Sequence, residues 1–336
     1  MTIKDLAAKT GYAVATVSRV LNNHPNVSQK ARRVIMEAVE ESGFQLNANA
    51  KQLKQQHATS ILVVVKGTSN EMFAEIVETI QSKLSGTEYP LLVDYLDEEE
   101  DEVRRAVQLC REKKPLGILF LGGNSKNFLT HFEKIDSPCV LVTNDASHFS
   151  FPNLSSVSTD DRQAAYCAID SLVALGHRKI VVVGGDQTVS DTSRLRYEGC
   201  LLSFRNHGID FDEKKDYKSV RFSFQDGYNA TIRLLEEGRQ FTALFAVADV
   251  MAIGAIRALH DRGLRVPEDV SVVGFDGLPL GSFMVPQLST ISQSARQMAE
   301  RSVEILLSCI EKGTTARHET VPFTLRQRES TRQIGE

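Results

Sequence analysis

From Ser60 onward the chain alternates between short, almost wholly apolar runs and longer stretches whose apolar residues recur every three or four positions. Ile61-Leu62-Val63-Val64-Val65 is of the first kind and predicts a strand buried on both faces. Helical spacing follows over 71–84, then a strand over 90–95. The acidic run 97–102 leads into a helix ending near Lys113, with its acids suited to a helix start. Further strands are predicted over 117–121, 139–143 and 156–158, with a helix between the first two. A second series opens near Arg162: helix 162–175, strand 179–184, helix 193–207, strand 219–222 and helix 226–237. It continues with strand 243–246, helix 250–262, strand 270–275, helix 294–312 and a final strand over 320–325. Strand–helix alternation of this kind predicts an α/β body of parallel sheets with helices on both faces.

The first 45 residues have a different rhythm. Thr2 and Asp5 make a capping-box start, Leu6 and Ala7 give one apolar face, and Gly11 breaks the helix. From Ala13 to Leu21 a second helix buries Val17, Val20 and Leu21. It leaves Val14, Ala15, Thr16, Ser18 and Arg19 on an outer face that is small, polar and basic. Two short helices around a glycine turn read either as an ordinary pair of core helices or as a helix-turn-helix, whose second helix enters a DNA major groove. A third helix is predicted from Ser28, a good N-cap, with Val34, Ile35, Ala38 and Val39 on its apolar face. Residues 46–59 are polar and Gln/Asn-rich, and read either as a linker or as a short helix capped by Asn47.

Thr-Ile-Lys-Asp-Leu-Ala at 2–7, Gly-Tyr-Ala-Val-Ala-Thr-Val-Ser-Arg-Val-Leu-Asn at 11–22, Val27-Ser28 and Gly43-Phe44 resemble the LacI/GalR family of bacterial repressors. The resemblance continues to about residue 331. It implies a helix-turn-helix head over 1–45, a hinge helix over 46–59, and a periplasmic-binding-protein-like body of two lobes over 60–336. The body would serve effector binding and dimerisation. The C-terminal part would return to the first lobe near Ser292 and leave it again close to the end. The resemblance also implies DNA contacts from Thr2, Lys4, Val14, Ala15, Thr16, Ser18, Arg19 and Asn22. Arg19 is the expected guanine reader, since its fork fits O6 and N7. In the hinge, Asn47, Ala50 and Leu53 would meet the duplex, the leucine wedging into a minor-groove step. Ala13 stands where the family has serine, a lost helix cap of about 1 kcal/mol, and Leu46 stands where it has proline.

An effector is expected in the cleft between the lobes, beyond the carboxyl ends of the strands. By the same resemblance Asn70, Phe73, Asp160, Arg196, Phe222, Ala248 and Asp276 are its expected contacts. Arg196 and Asp276 would hold hydroxyl groups through paired hydrogen bonds. Glu71-Met72 replaces the family's Pro-Phe at the cleft lip, and Asp249 reads as the cap of the helix that follows it. A sugar or sugar derivative is the expected effector, although the chain has no Trp and must stack a ring on Phe or Tyr.

Charge and composition bear on this in three places. Residues 1–60 carry eight Lys/Arg against four acids, so the net −4 of the chain conceals a basic head on an acidic body. The five cysteines have no paired metal spacing and read as buried reduced thiols. No apolar run reaches a membrane span and the N-terminus is a polar helix, so a cytoplasmic protein without a membrane anchor is expected. The sequence contains no Gly-x-Ser-x-Gly, P-loop or metal-ligand cluster, so neither an enzyme nor a cofactor is expected. The function expected is a homodimeric regulator, a repressor of carbohydrate-related genes, that binds a palindromic double-stranded operator under control of a small molecule. An activator, a regulator using a phosphoprotein corepressor, and a solute-binding protein are the alternatives.

Overall fold

The computed structural model describes residues 3–21, 27–42, 60–67 and 70–334. The chain divides into two compact units, Met1–His57 and Ala58–Glu336. In the first, α1 (Ile3–Thr10), α2 (Val14–Leu21) and α3 (Gln29–Ser42) surround a small core of Leu6, Ala7, Val17, Val20 and Ile35. Gly11 lies at φ +73°, a left-handed conformation that costs glycine little, and its N–H closes α1 on the Ala7 carbonyl at 3.0 Å. Ser28 Oγ accepts from the Ala31 N–H at 3.3 Å, so the expected cap of α3 is in place. Of the predicted face of α3, Ile35 and Ala38 are buried and Val34 is only half-buried; Ala31 is buried with them.

The second unit opens with β1 (Ile61–Lys66), α4 (Glu71–Leu84), β2 (Leu91–Leu96), α5 (Glu102–Lys113), β3 (Gly117–Leu121), α6 (Ser125–His131), β4 (Cys139–Val142) and β5 (Leu154–Thr159). It continues with α7 (Asp161–Ala174), β6 (Ile180–Gly184), α8 (Asp191–Asn206), α9 (Glu213–Asp216), β7 (Tyr217–Ser219), α10 (Phe224–Glu236), β8 (Ala243–Ala246) and α11 (Asp249–Asp261). The last elements are β9 (Ser271–Asp276), β10 (Ser289–Gln293), α12 (Ala295–Lys312), β11 (His318–Val321) and β12 (Phe323–Arg326). Two six-stranded sheets result, ordered β11-β5-β4-β3-β1-β2 and β12-β10-β9-β8-β6-β7. All pairings are parallel except β10 with β12. Each sheet is the centre of one lobe, with the apolar runs of β1, β3, β6 and β8 in the middle, where both faces are covered. α12 follows a strand of the second sheet yet packs on α4 and the first sheet, so the chain crosses between lobes after β5, after β10 and after β11.

The return to the first lobe after β10 falls where the resemblance implies it, near Ser292, while the strands at the crossings differ from expectation. β10, Ser-Thr-Ile-Ser-Gln, was not anticipated: it is buried throughout, but four of its five side chains are polar. The single strand expected over 320–325 is two, one in each sheet, split at Pro322, which has no N–H to extend a ladder. The strand expected over 219–222 ends at Ser219, and Phe222 lies in the turn before α10.

Candidate functional site

In the head, the outer face of α2 is as expected: Val14, Ala15 and Arg19 are exposed, and Thr16 and Ser18 half-buried, while Val17 and Val20 hold the helix to its core. Ala13 offers no side-chain cap, and only its carbonyl receives the N–H groups of Thr16 and Val17, at 2.8 and 3.1 Å. Thr2, Asn22, Asn47, Ala50 and Leu53 lie outside the described residues, as does the side chain of Lys4.

The body holds a cavity of about 760 Å³ between its lobes. Residues at or just beyond the carboxyl ends of strands line it: Lys66 after β1, Gly122 after β3, Thr143 after β4, Gly185 after β6 and Ser219 after β7. Asn70 and Phe73 line the first-lobe side, though Asn70 also caps α4 by accepting from the Met72 N–H at 3.0 Å. Phe222 lines the second-lobe side. It lies so close to Gly185 that a Cβ there would stand 2.6 Å from the ring, and 2.4 Å from Ser193 Oγ.

Arg196 reaches this cavity from α8 and is only 4% exposed. Its Nε donates to Asp161 Oδ1 at 2.7 Å and its Nη1 to the Val247 carbonyl at 2.6 Å. One guanidinium face covers the Phe275 ring, 3.7 Å from its centroid. Asp276 Oδ1 is 3.9 Å from Nη1 and accepts from Gln293 Nε2 at 2.8 Å. Asp276 adopts φ +120°, and its Oδ2 is buried without a partner, as is Gln293 Oε1. Burial pushes the Asp161 and Asp276 carboxyls up, and the Arg196 charge pulls both back.

Four expected positions are corrected. Asp276 is buried beside Arg196 and is absent from the cavity lining. Asp160 is exposed and does not line the cavity; it caps α7 by accepting from the Gln163 N–H at 2.9 Å, and its neighbour Asp161 is the carboxylate that turns inward. Ala248 is buried beside the start of α11 and is absent from the lining. Asp249 does not cap α11. Its Oδ2 accepts from the N–H groups of Gly277 and Leu278 at 2.8 and 2.7 Å, and its Oδ1 from Thr290 Oγ1 at 2.6 Å, which fixes the turn carrying Asp276. Burial and the nearby Asp276 push Asp249 up against those three donors.

Contacts on both flanks of the cavity join the lobes. Ser125 donates through its N–H and hydroxyl to Asp191 Oδ2, at 2.7 and 2.6 Å, and Asn124 Nδ2 donates to the Val189 carbonyl at 3.1 Å. On the other flank Arg221 is held between Asp97 and Glu98. The Arg221 hydrogen bond holds Asp97 below the usual carboxylate range. Lys66 pairs at 2.7 Å with the fully buried Glu102, whose Oε1 takes the Asn124 N–H at 2.7 Å. Sequence reasoning passed over these residues. Only the Asp160-Asp161 doublet after a strand carried a hint, since one acid suffices to cap the helix.

Residues 2–47 match the model of the bacterial regulatory proteins of the lacI family, and residues 169–331 that of a periplasmic binding protein-like domain. The HTH-type transcriptional regulator MalR of Clostridium butyricum is 34% identical over 335 residues, which span 98% of this chain and 99% of the relative. The chain belongs to the lacI family. It is a DNA-binding transcriptional regulator with an α/β, periplasmic-binding-protein-like body. Catabolite control protein A of Priestia megaterium, a second relative, is 30% identical over 314 residues, 94% of each chain. Among solved structures, the lac repressor dimer bound to operator and the anti-inducer ONPF superposes with a TM-score of 0.77 at 26% identity, covering 99% of both chains. The lacI-family relatives named here are regulators rather than enzymes. No helix among the described residues is long and apolar enough to cross a membrane, and no group of three or more His, Cys, Asp or Glu among them could hold a metal ion.

Proposed function

We propose that this lacI-family chain is a repressor, acting as a homodimer in the cytoplasm, that binds a near-palindromic operator and releases it according to a small hydroxyl-bearing effector in the inter-lobe cleft. Residues 1–45 read the DNA, with Arg19 on base edges, Thr16 and Ser18 on phosphates, and Val14 and Ala15 against thymine methyl groups or by exclusion. Residues 46–59 couple the head to residues 60–336. No catalysis takes place in the cleft.

The observation that carries the effector reading is the buried Arg196 array under the cavity. Nη2 has no protein acceptor among the described residues, and Asp276 Oδ2 and Gln293 Oε1 have no donor. A ligand hydroxyl can accept from the first, and its single proton can go to one of the two oxygens once that side chain turns toward the cavity. Such unpaired buried groups are costly, so a ligand that satisfies them gains affinity. Asn70, Phe73 and Phe222 supply the walls, the rings offering an apolar face to a sugar.

The test uses the full chain, operator fragments selected from random duplexes, and fluorescence anisotropy, with a thermal-shift screen of neutral sugars. A selected sequence bound above a scrambled duplex, and a sugar whose stabilisation disappears in Arg196→Met, are expected. Equal binding to all duplexes sinks the operator reading, and a shift that survives Arg196→Met sinks the cleft reading.

A further inference from the structure

We infer that Asp161 sets the charge selectivity of the effector cleft: by neutralising Arg196 it makes the site reject anionic ligands and accept uncharged, hydroxyl-bearing ones. The inference rests on the cleft being the effector site and adds which chemical class it takes. An arginine at the floor of a cavity is ordinarily a receptor for phosphate or carboxylate, because its fork matches two oxygens at once. Here most of that capacity is already used, with only Nη2 left open. Asp161 takes Nε at 2.7 Å, the Val247 carbonyl takes Nη1 at 2.6 Å, and Asp276 stands 3.9 Å from Nη1. One cation thus faces two buried carboxylates.

The other cations lining the cavity do not restore the balance. Lys66 is held at 2.7 Å by Glu102, and Arg221 by Asp97 and Glu98. No lining Lys or Arg among the described residues is free of a carboxylate, while Glu99, Asp186 and Asp226 add negative charge to the wall. A phosphate entering this cleft would lose its hydration and meet repulsion, with no unpaired cation to compensate. A hydroxyl carries no charge to be repelled, costs far less to desolvate, and can accept from Arg196 Nη2.

Asp161 is a positioning residue, since it acts through Arg196. Its side chain is 2% exposed, at the first position of α7, where the helix N-terminus favours a carboxylate. Replacing that carboxylate with an amide of the same shape removes the directly bonded counter-charge and leaves only Asp276, 3.9 Å away, to offset the guanidinium.

The experiment compares the full chain with Asp161→Asn, Arg196→Met and the double variant. Inorganic sulfate, glucose 6-phosphate and glucose are the probes, read by thermal shift and calorimetry. Sulfate stabilises proteins generally by exclusion from their surface, so the double variant provides the baseline. The natural chain is expected to show no anion binding above that baseline. Asp161→Asn is expected to gain it, by about tenfold or more in affinity, and to lose it again in the double variant. A merely structural role for Asp161 would lower the melting temperature without reversing the preference between charged and neutral probes. Asp161→Ser, which also removes the charge, serves if the amide variant does not fold. Anion binding by the natural chain that vanishes in Arg196→Met overturns the inference, as does no gain in either Asp161 variant. A neutral sugar that stabilises all variants equally refutes the cleft reading instead, and leaves the sulfate result to decide the charge question.

Discussion

The buried Arg196–Asp161 pair lends itself to a double-mutant cycle. Its side chains are 5% and 2% exposed and its Nε–Oδ1 distance is 2.7 Å. Removing one partner of such a pair costs about 3–5 kcal/mol, because the remaining charge is stranded in a poor solvent. For Asp161→Ala the lower end is expected, about 3 kcal/mol. Asp276 is 3.9 Å from Nη1 and can take over part of the role, and the Phe275 face at 3.7 Å supports the cation. Arg196→Met leaves Asp161 and Asp276 buried without their common cation, but each can take up a proton, so about 3–4 kcal/mol is expected. Together the changes remove both members of the pair, and the double variant should lose about 4 kcal/mol rather than the sum, a coupling of roughly 2–3 kcal/mol. Urea unfolding of the full chain, followed by circular dichroism and tyrosine fluorescence, measures all four corners; the chain has no Trp to complicate the signal. Costs that add to within about 0.5 kcal/mol would refute the claim that the two residues act as a unit.

Three further predictions concern other parts of the molecule. Asp191→Ala removes the acceptor for both Ser125 donors, and charge-assisted bonds at this partial exposure contribute about 1–2 kcal/mol, so the closed arrangement of the lobes should lose roughly five- to thirtyfold in population. Small-angle scattering would register this as a larger radius of gyration, and an unchanged radius would show that the Ser125–Asp191 contact does not hold the lobes together. Asp276 is pushed up to about 6 in the folded chain by burial, which favours its protonated form there. Its contribution to stability is therefore fully present below the ordinary carboxylate value of 3.8 and is lost as pH rises through about 6. Asp276→Asn should flatten urea midpoints over that window, and an identical slope in the variant would contradict the assignment. In the head, Arg19→Ala should cost about 1–3 kcal/mol on the selected operator and much less on a scrambled duplex. An equal loss on both would make Arg19 a phosphate contact rather than a base reader.

Periodicity carried the alternating α/β body, and periodicity together with the resembled motif carried the helix-turn-helix. In both, local spacing and burial agree: Val17 and Val20 repeat at helical intervals and are buried, and the runs of β1, β3 and β6 occupy sheet centres. Arg196 and Asp276 were legible through their places after strands within a resembled pattern. What the sequence could not determine was every arrangement formed by residues far apart in the chain. β10 has no apolar run to announce it, because polar side chains there find distant partners: Thr290 bonds Asp249, Ser289 bonds Thr331, and Gln293 Nε2 bonds Asp276. Whether Asp160 or Asp161 turned inward depended on where α8 placed Arg196, thirty-five residues further along. The partners of Asp249 come from one turn and one strand that no local rule brings together. Hydrophobic pattern is a property of neighbours along the chain and can be read there. Pairing of buried charges is a property of neighbours in space, so only the closed tertiary structure decided which carboxylate Arg196 would face, and with it the character of the cleft.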